Sequence, residues 1–492
     1  MQTDLAAHRA ELTPDRPAVQ FRGRWYRYTE LNRRAEQLAA RLREAGVRAG
    51  DRVGLLAANH IAHVDLLLAA PKLGHVSVPF NYRLPPAEQR GLGEYIAPTL
   101  LLHDSTHLVE ARATGAPLRC LDDYESWLES APEFTGGHTA SAEDPAMILF
   151  TGGSTGLPKG ALIPYRQLHA NAVNTCQSWE VGEADCAIQA TPAFHAAFNV
   201  FTTPLLQAGG RVIQMEAFAP AEYLATVTRE KVSVLFLVPT MYQMLAEHPS
   251  FATADLSSVR WAISGGAACP EPLRERYERR GIRFKQGYGM TEAGVNCFAV
   301  TLDEAQRRPG TVGTPIANAE AVIRAEDGTP VAHGEIGELT LRGPHLCLGY
   351  YRRPEETAKA FRDGWLWTGD LARQDADGYY YIVGRSKEMY ISGGENVYPV
   401  EVEAALYEQP EIAECAVLGV PDELWGDVGL AAIACKSGHT VTGADLRLRL
   451  KQRLAGYKVP THYLFLEALP KSGAGKIHKP EIRKLFEQGP PS

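Results

Sequence analysis

The chain has 492 residues, of which 45% are apolar and 22% are charged, as is ordinary for a globular protein. Its length predicts about two to four domains, and its net charge of −8 argues against nucleic-acid binding, which requires a basic face. The eight cysteines show no metal-binding spacing, the N-terminus lacks the apolar core of a signal peptide, and no run approaches the roughly 18 apolar residues of a membrane helix. We expect a cytoplasmic protein without a membrane span.

The first 150 residues alternate between strand-like and helix-like patterns. These patterns predict two short strands within 17–28, a helix at 28–45, and strands at 53–57, 76–80, 100–103 and 147–150. A second helix is expected at 61–70, ended by Pro71. Residues 105–143 have weak periodicity and predict a connection. Strands that alternate with helices indicate a parallel sheet covered on both faces.

The remainder of the chain changes character twice. A helix at 165–179 and strands at 187–191, 211–215, 234–238, 259–264 and 282–285 predict a second α/β layer. From about residue 310, short segments between Gly and Pro predict a β-rich subdomain, and a boundary is expected at Gly384. The prediction is α/β: a large N-terminal region of stacked mixed sheets with helices plus a β-rich subdomain, residues 1–384, and a small α+β C-terminal domain, residues 385–492.

A cluster of glycines and hydroxyls follows the strand predicted at 147–150. Glycine lets backbone N–H groups approach an anion, and successive N–H groups form a nest for phosphate oxygens. We therefore expect a phosphate loop composed of Thr151, Gly152, Gly153, Ser154, Thr155, Gly156 and Lys159. It is not a Walker A loop, because Pro158 and Lys159-Gly160 break the required Gly-Lys-Ser/Thr order. The alternative is an ordinary strand-to-helix turn, which needs one or two glycines rather than this density of hydroxyls.

This loop resembles the phosphate loop of the acyl-adenylate-forming (AMP-binding) superfamily, whose usual form is Thr-Ser-Gly-Thr-Thr-Gly-x-Pro-Lys-Gly. Gly152 and Ser154 depart from that form but keep the loop small. Further segments resemble the family's motifs in its order and spacing, at 264–268, 286–292, 365–371, 384–387, 392–399 and 472–477. The ordered set is highly specific and resembles the acyl-CoA synthetase branch, with fatty-acyl- and 4-coumarate-CoA ligases. The first 140 residues carry no diagnostic motif.

The resemblance implies an enzyme that uses ATP, Mg²⁺ and coenzyme A. Beside the phosphate loop, the residues implied to bind ATP are Gly266, Ala267, Ala268, Gln286, Gly287, Tyr288, Gly289, Met290, Asp370 and Arg385. A carboxylate such as Asp370 accepts two hydrogen bonds from vicinal ribose hydroxyls. Thr151 and Glu292 are implied to hold the metal, and the catalytic groups are implied to be Lys476, Thr291, Glu292 and His195.

The resemblance also implies where the acid and the thiol bind. The acyl pocket is expected to consist of apolar residues around His195, namely Phe194, Phe198, Val238, Thr240, Gly265, Gly266 and Val295, which suits a hydrophobic carboxylic acid, fatty or aryl. Ser392, Gly393 and Gly394 resemble the loop that lines the pantetheine tunnel of CoA ligases. Lys387 resembles the hinge about which a mobile C-terminal domain turns. An alternative for His195 is a packed core histidine.

Three other functions remain open at this stage. One is a ligase that loads a separate carrier protein rather than CoA, one is an oxidative luciferase-like enzyme, and one is a non-catalytic nucleotide-binding relative. Intact Lys476, Glu292 and Asp370 argue against the last. A homodimer is a further possibility that the residues leave open.

Overall fold

A computed structural model describes residues 3–151, 158–471 and 477–488. The helices are α1 (Leu5–Leu12), α2 (Tyr28–Glu44), α3 (Ile61–Leu73), α4 (Pro86–Ile96), α5 (Leu108–Ala113), α6 (Tyr124–Glu129), α7 (Tyr165–Trp179), α8 (Thr202–Ala208), α9 (Pro220–Glu230), α10 (Pro239–Glu247), α11 (Glu271–Glu278), α12 (Leu302–Arg307), α13 (Pro354–Ala360), α14 (Pro399–Tyr407), α15 (Gly443–Leu450) and α16 (Lys479–Glu487). The strands are β1 (Pro17–Phe21), β2 (Arg24–Arg27), β3 (Arg52–Leu56), β4 (Val76–Pro79), β5 (Leu100–His103), β6 (Leu118–Cys120), β7 (Pro145–Thr151), β8 (Lys159–Pro164), β9 (Cys186–Gln189), β10 (Arg211–Gln214), β11 (Val234–Leu237), β12 (Trp261–Ser264), β13 (Phe284–Gln286), β14 (Phe298–Ala299), β15 (Thr314–Pro315), β16 (Glu320–Arg324), β17 (Gly337–Arg342), β18 (Phe361–Arg362), β19 (Trp365–Gln374), β20 (Tyr380–Arg385), β21 (Tyr390–Ser392), β22 (Glu395–Val397), β23 (Ile412–Asp422), β24 (Gly426–Cys435) and β25 (His462–Phe465).

The N-terminal region contains two large sheets and a smaller one. The first has the strand order β6-β5-β3-β4-β7-β8 and is parallel apart from the antiparallel pair β7–β8. The second has the order β2-β1-β10-β9, and the third, β11-β12-β13, is parallel throughout. Leu31, Leu38 and Leu42 of α2 are buried, because their spacing forms one apolar face of that helix. Parallel strands covered by helices follow the predicted α/β pattern.

An antiparallel subdomain and the C-terminal domain complete the chain. Strands β16-β17-β19-β18, with β20 paired to β19, form the predicted β-rich subdomain. The C-terminal sheet has the order β22-β21-β24-β23, with β25 parallel to β24, and its own buried core. Gly384 lies within β20, so the expected boundary falls inside a strand rather than after it. In the ranges that the structure describes, no helix has both the length and the apolar character needed to cross a membrane.

The structure corrects two local predictions. Helix α3 does not end at Pro71 but continues to Leu73, where Gly74 at φ 82° caps it. Proline in a last turn lacks only one backbone hydrogen bond, so the cost is smaller than in a helix centre. Residues 105–143 contain α5, β6 and α6, which are too short to show a periodic pattern. The segment of the predicted phosphate loop joins two antiparallel strands, β7 and β8, so it is not the strand-to-helix turn that was the alternative.

Candidate active site

The hairpin of β7 and β8 carries the predicted phosphate loop. Thr151, the last residue of β7, pairs with Lys159, the first residue of β8. The ammonium of Lys159 lies 4.7 Å from the centroid of the Tyr350 ring, a cation–π distance. The pairing places a hydroxyl-bearing and a positively charged residue side by side at the mouth of the loop. The loop residues themselves lie outside the described residues: Gly152, Gly153, Ser154, Thr155 and Gly156.

Glu292 is a buried carboxylate within electrostatic range of two cations, Lys159 and Arg385. Its side chain is 6% exposed and lies in the short 3₁₀ helix Thr291–Ala293. The hydroxyl of Tyr350 donates a hydrogen bond of 2.8 Å to Glu292 Oε1. Burial raises the pKa of Glu292, and the Tyr350 hydroxyl and the charges of Arg385 and Lys159 oppose that rise. The arrangement provides anionic oxygens close to two positive groups, as a phosphate and metal site requires.

Asp370 lies at the centre of a second polar group. Its carboxylate is 5% exposed, accepts a 2.6 Å hydrogen bond from the Tyr288 hydroxyl, and lies 3.1 Å from Nε of Arg385. Asp370 and Arg385 are direct partners on β19 and β20, which explains their proximity. Burial and the nearby Asp370 charge raise the pKa of Tyr288 well above its usual value, so the phenol remains a donor. The carboxylate keeps acceptor capacity for a further ligand, since each oxygen has two lone pairs.

The strand ends of β12 and β13 bring two of the predicted nucleotide motifs together. Ser264 and Gln286 are direct partners across these strands. The Gln286 side chain donates to the carbonyls of Ser264 (3.3 Å) and Ala267 (3.2 Å) and accepts from the Cys269 N–H (3.0 Å). Gln286 therefore fixes the turn after β12, a role in the protein frame that the sequence prediction of cofactor binding did not contain.

The glycine-rich turns that follow β12 and β13 differ in packing: the first is exposed and the second is tightly packed. Gly266, Ala267 and Ala268 are exposed, and Gly266 has φ 79°. Gly287 donates its N–H to the Ser264 carbonyl at 2.7 Å. A Cβ at Gly289 would overlap the carbonyl of Val295, so only glycine fits there. The Met290 N–H donates to the Gly294 carbonyl at 3.0 Å, and Thr291 and Glu292 lie within the turn that this bond closes.

The predicted acyl-pocket residues fall into two groups. Val238, Thr240 and Val295 are half-buried, and Gly265 is buried with Phe236 alongside, since a Cβ at Gly265 would lie 3.1 Å from the Phe236 ring. Phe194 and Phe198 are instead 5% and 2% exposed and pack within the core. Phe236 and Val238 share one face by their two-residue spacing, and that alternation is the signal by which sequence reading could have included Phe236.

His195 precedes the short 3₁₀ helix Ala196–Asn199 and is half-buried. Its ring centroid lies 4.9 Å from that of Phe194, whose ring meets Tyr82 edge-on at 5.4 Å. The rings of His195, Phe194 and Tyr82 therefore lie one after another in contact. This environment accommodates either a packed core histidine or a polar group at the edge of an acyl pocket.

The predicted thiol-binding turn lies at the tip of the β21–β22 hairpin. Ser392 pairs with Glu395, and between them Gly393 and Gly394 have φ 61° and 87°, the values of a type I′ turn. The Gly393 N–H donates to the Trp425 carbonyl at 2.8 Å, and a Cβ there would meet the Trp425 ring at 2.5 Å.

Of the two lysines predicted to act in the C-terminal region, the structure describes Lys387 but not Lys476. Lys387 is exposed in the turn between β20 and β21. Lys476 lies outside the described residues, between Lys471 and Ile477, which pair with each other.

Comparison with known proteins decides the family. A model described as AMP-binding enzyme matches residues 6–351, and one described as AMP-binding enzyme C-terminal domain matches residues 401–476. The chain belongs to the AMP-binding enzyme family. Feruloyl-CoA synthase of Amycolatopsis sp is 42% identical over 480 residues, 97% of each chain. Indoleacetate–CoA ligase of Aromatoleum aromaticum is 34% identical over 97% of this chain and 96% of the relative.

A solved structure gives the same answer for the fold of this AMP-binding enzyme. ATP-bound MatB from Rhodopseudomonas palustris matches with a TM-score of 0.91 and 30% identity, over 99% of both chains. The predicted superfamily and the α/β architecture with a small C-terminal domain are thereby confirmed. The roles of individual residues and the placement of the domain boundary stay predictions.

The residues of this AMP-binding enzyme fit a magnesium ion. Mg²⁺ is usually held by one or two carboxylates together with substrate phosphates rather than by an all-protein cage. Across the described ranges, no three His, Cys, Asp or Glu side chains converge into such a cage. Glu292 offers one buried carboxylate beside the phosphate hairpin, which matches the first arrangement. Glu292 and the predicted Thr151 are therefore the residues of this chain that would hold the ion.

Several residues that shape the site escaped the sequence prediction. Tyr350 contacts both Lys159 and Glu292, as described above. Gln167 of α7 donates to the carbonyl of Thr291 at 3.0 Å, and the Cys347 N–H donates to the carbonyl of Glu292 at 2.8 Å. These contacts join segments more than 50 residues apart, so no local motif reveals them.

Proposed function

We propose that this AMP-binding enzyme is an ATP-dependent acyl-CoA synthetase for a hydrophobic carboxylic acid. The expected class of reaction, an AMP-forming acid–thiol ligase, is confirmed by relatives named as CoA ligases and synthases. The observation that carries the assignment to this site is the buried Glu292 carboxylate, which Tyr350 joins to Lys159, together with the Asp370 carboxylate in contact with Tyr288 and Arg385. One cluster thus offers groups for the phosphates, the metal and the ribose.

In the first half-reaction, a carboxylate oxygen of the acid attacks the α-phosphorus of ATP. The bond from that phosphorus to the bridging oxygen breaks, giving acyl-AMP and pyrophosphate. Such phosphoryl chemistry needs positioning and charge neutralisation rather than a covalent nucleophile on the protein. Lys159 would neutralise the leaving pyrophosphate, Asp370 and Arg385 would hold the ribose, and Lys476 would stabilise charge at the reacting phosphorus. A magnesium ion held by Glu292 would supply further neutralisation of phosphate charge.

In the second half-reaction, the sulfur of CoA attacks the acyl carbon, and AMP leaves as the carbon–oxygen bond breaks. Lys387 is exposed between β20 and β21, where a turn of the backbone would swing the C-terminal domain. The narrow glycine turn at Gly393 and Gly394 would then let the pantetheine arm pass close to the backbone. The thiol proton leaves to solvent or to a nearby base.

The pocket walls favour an aryl acid or a medium to long alkyl acid over acetate. The Phe236 ring lies directly against Gly265, where a side chain would crowd it, and Val238 and Val295 add half-buried apolar side chains. An aromatic wall stacks well on a flat acyl group. The feruloyl-CoA and indoleacetate relatives point in the same direction. Each buried methylene contributes about 0.8 kcal/mol, so about four extra carbons would favour a longer acid by about a hundredfold in kcat/KM.

The test is pyrophosphate release over a panel of acids, with and without CoA. We expect release with a cinnamate-type acid, an arylacetate or octanoate, at most weak release with acetate, and a thioester when CoA is present. Acetate as good as octanoate would contradict the pocket assignment. Acyl-AMP without thioester would favour a separate carrier protein, light emission would favour a luciferase-like enzyme, and no pyrophosphate would favour a non-catalytic relative. We also infer a cytoplasmic location, and light scattering would decide whether the enzyme forms a homodimer.

A further inference from the structure

Tyr350 lies between the two charged groups that flank the phosphate hairpin. One face of its ring carries the Lys159 ammonium at 4.7 Å, and its hydroxyl donates to Glu292 Oε1 at 2.8 Å. Tyr350 is 9% exposed, so both contacts are largely shielded from water. Among the described side chains, Lys159 forms no ion pair with Glu292, although the Lys159 charge opposes the rise that burial causes in the pKa of Glu292. A single side chain, that of Tyr350, therefore contacts both charged groups.

The backbone around Tyr350 is fixed to the phosphate hairpin itself. The segment 348–351 pairs with β8 as an added strand: Leu348 N–H bonds the Leu162 carbonyl, Leu162 N–H bonds the Gly349 carbonyl, and Tyr351 N–H bonds the Gly160 carbonyl, at 2.9, 2.9 and 2.8 Å. Any movement of the hairpin therefore moves Tyr350 with it.

The other side of the segment is held as firmly. The Tyr350 N–H donates to Thr357 Oγ1 at 2.9 Å. Gly349 has φ 116°, and a Cβ there would overlap the Thr357 side chain. The Tyr95 hydroxyl donates to the Tyr351 carbonyl. Tyr350 is thus a rigid link between β8 and the turn that carries Glu292.

We propose that Tyr350 is a positioning residue that keeps Lys159 and Glu292 apart, so that the lysine stays available for the ATP phosphates and the carboxylate for the metal. This inference rests on the proposed function of the site. An aromatic ring attracts the Lys159 ammonium but carries no net charge, so the positive charge remains available to phosphate. A carboxylate partner would neutralise that charge. A hydroxyl donor orients one carboxylate oxygen and leaves the other for a metal. Loss of Tyr350 would let the two charges pair and would weaken both ligands at once.

Two substitutions separate the two contacts. Tyr350→Phe removes the hydroxyl and keeps the ring beneath Lys159, whereas Tyr350→Leu removes both. The matched control is Tyr351→Phe, which deletes a neighbouring phenol but leaves the main-chain bond to Gly160. Each variant is assayed for Mg²⁺-dependent ATP binding by calorimetry, for acyl-AMP formation, for thioester formation from supplied acyl-AMP and CoA, and for thermal stability.

With Tyr350→Phe we expect the Mg²⁺ concentration for half-maximal ATP binding to rise about tenfold, the lower end for a lost hydrogen bond to a charged group. Tyr350→Leu should show that shift and, in addition, about fivefold weaker ATP binding at saturating Mg²⁺. Thioester formation from supplied acyl-AMP should stay within twofold in both, because neither the pyrophosphate nor the metal takes part in that step. Tyr351→Phe should match the wild type throughout.

Unchanged Mg²⁺ dependence in Tyr350→Phe would overturn the proposal. Equal losses in both half-reactions, accompanied by a lowered melting temperature, would also overturn it and assign Tyr350 to the fold alone. If the wild type forms no acyl-AMP with any acid, the proposed function fails, but calorimetry of ATP and Mg²⁺ still decides the role of Tyr350. The two failures are therefore distinguishable.

Discussion

Asp370 provides the sharpest test of the nucleotide site, because its buried carboxylate has contacts of known geometry. It accepts a hydrogen bond from Tyr288 at 2.6 Å and lies 3.1 Å from Arg385 Nε. The proposed ribose would add two more hydrogen bonds to the same carboxylate. At about 1.5–3 kcal/mol for each hydrogen bond to a charged group, Asp370→Ala should weaken AMP binding by at least about tenfold.

The structure adds a stability effect to this prediction. Asp370→Ala leaves the Tyr288 hydroxyl without its acceptor, and an unsatisfied buried donor costs about 1–3 kcal/mol. Asp370→Asn keeps an acceptor for Tyr288 but loses the negative charge. We therefore expect both variants to lose nucleotide affinity. Only the alanine variant should also lose about 1–3 kcal/mol of unfolding free energy. The Arg385 side chain is 61% exposed, so its ion pair with Asp370 contributes little to either result.

Calorimetric titration with AMP and a thermal melt measure the two effects separately. Tyr288→Phe serves as the matched control, because it removes the same protein hydrogen bond while leaving the carboxylate for ribose. In a double-mutant cycle, Asp370→Ala and Tyr288→Phe should be non-additive in stability. An AMP affinity that is unchanged in Asp370→Ala would refute the ribose assignment, whatever happens to the melting temperature.

Three further predictions concern catalysis, specificity and pH. Lys476→Ala should slow acyl-AMP formation by about 10²–10³-fold, since an electrostatic donor of this kind is worth roughly 3–4 kcal/mol. Thioester formation from supplied acyl-AMP should be spared. Equal losses of rate in separate assays of the two half-reactions would contradict this prediction. Phe236→Ala should broaden acceptance toward bulkier acids by about tenfold in kcat/KM at an unchanged KM for ATP, and the same acid profile as the wild type would show that Phe236 is not a pocket wall. Burial lowers the pKa of His60 to about 3 and that of His63, His75 and His345 to about 4. Below about pH 6.5 these histidines bind protons in the unfolded chain but not in the native protein. The free energy of unfolding should therefore be highest above about pH 6.5 and lower at pH 5, by about 2 kcal/mol for each histidine. Melting temperatures that are equal at pH 7 and pH 5 would contradict this.

Gly266→Trp would place a bulky side chain at a residue predicted to line the acyl pocket, but it is a poorer test than Phe236→Ala. Gly266 has φ 79°, a conformation that a tryptophan adopts only with strain. A loss of activity in that variant would report the strained turn as much as the acyl pocket. The side chain of Phe236 lies on a strand, where truncation leaves the backbone unchanged.

The sequence by itself determined the family, the α/β class and most charged groups of the candidate site. Lys159 was predicted from a loop rich in glycines and hydroxyls, a composition that favours phosphate binding. Glu292, Asp370 and Arg385 were predicted from segments that resemble the family's motifs, whose order along the chain is recognised without a fold.

Only the tertiary structure decided which groups contact one another. Tyr350 and Glu292 are 58 residues apart, and Tyr288 and Asp370 are 82 apart. Such pairs arise from sheet registers, such as Asp370 opposite Arg385, and from an added strand along β8. Neither leaves a periodic signal, because a register depends on the pairing of distant strands rather than on local propensity. The same reason hid the frame-building role of Gln286. The extent to which Phe194 and Phe198 are buried is likewise set by elements far away in the chain.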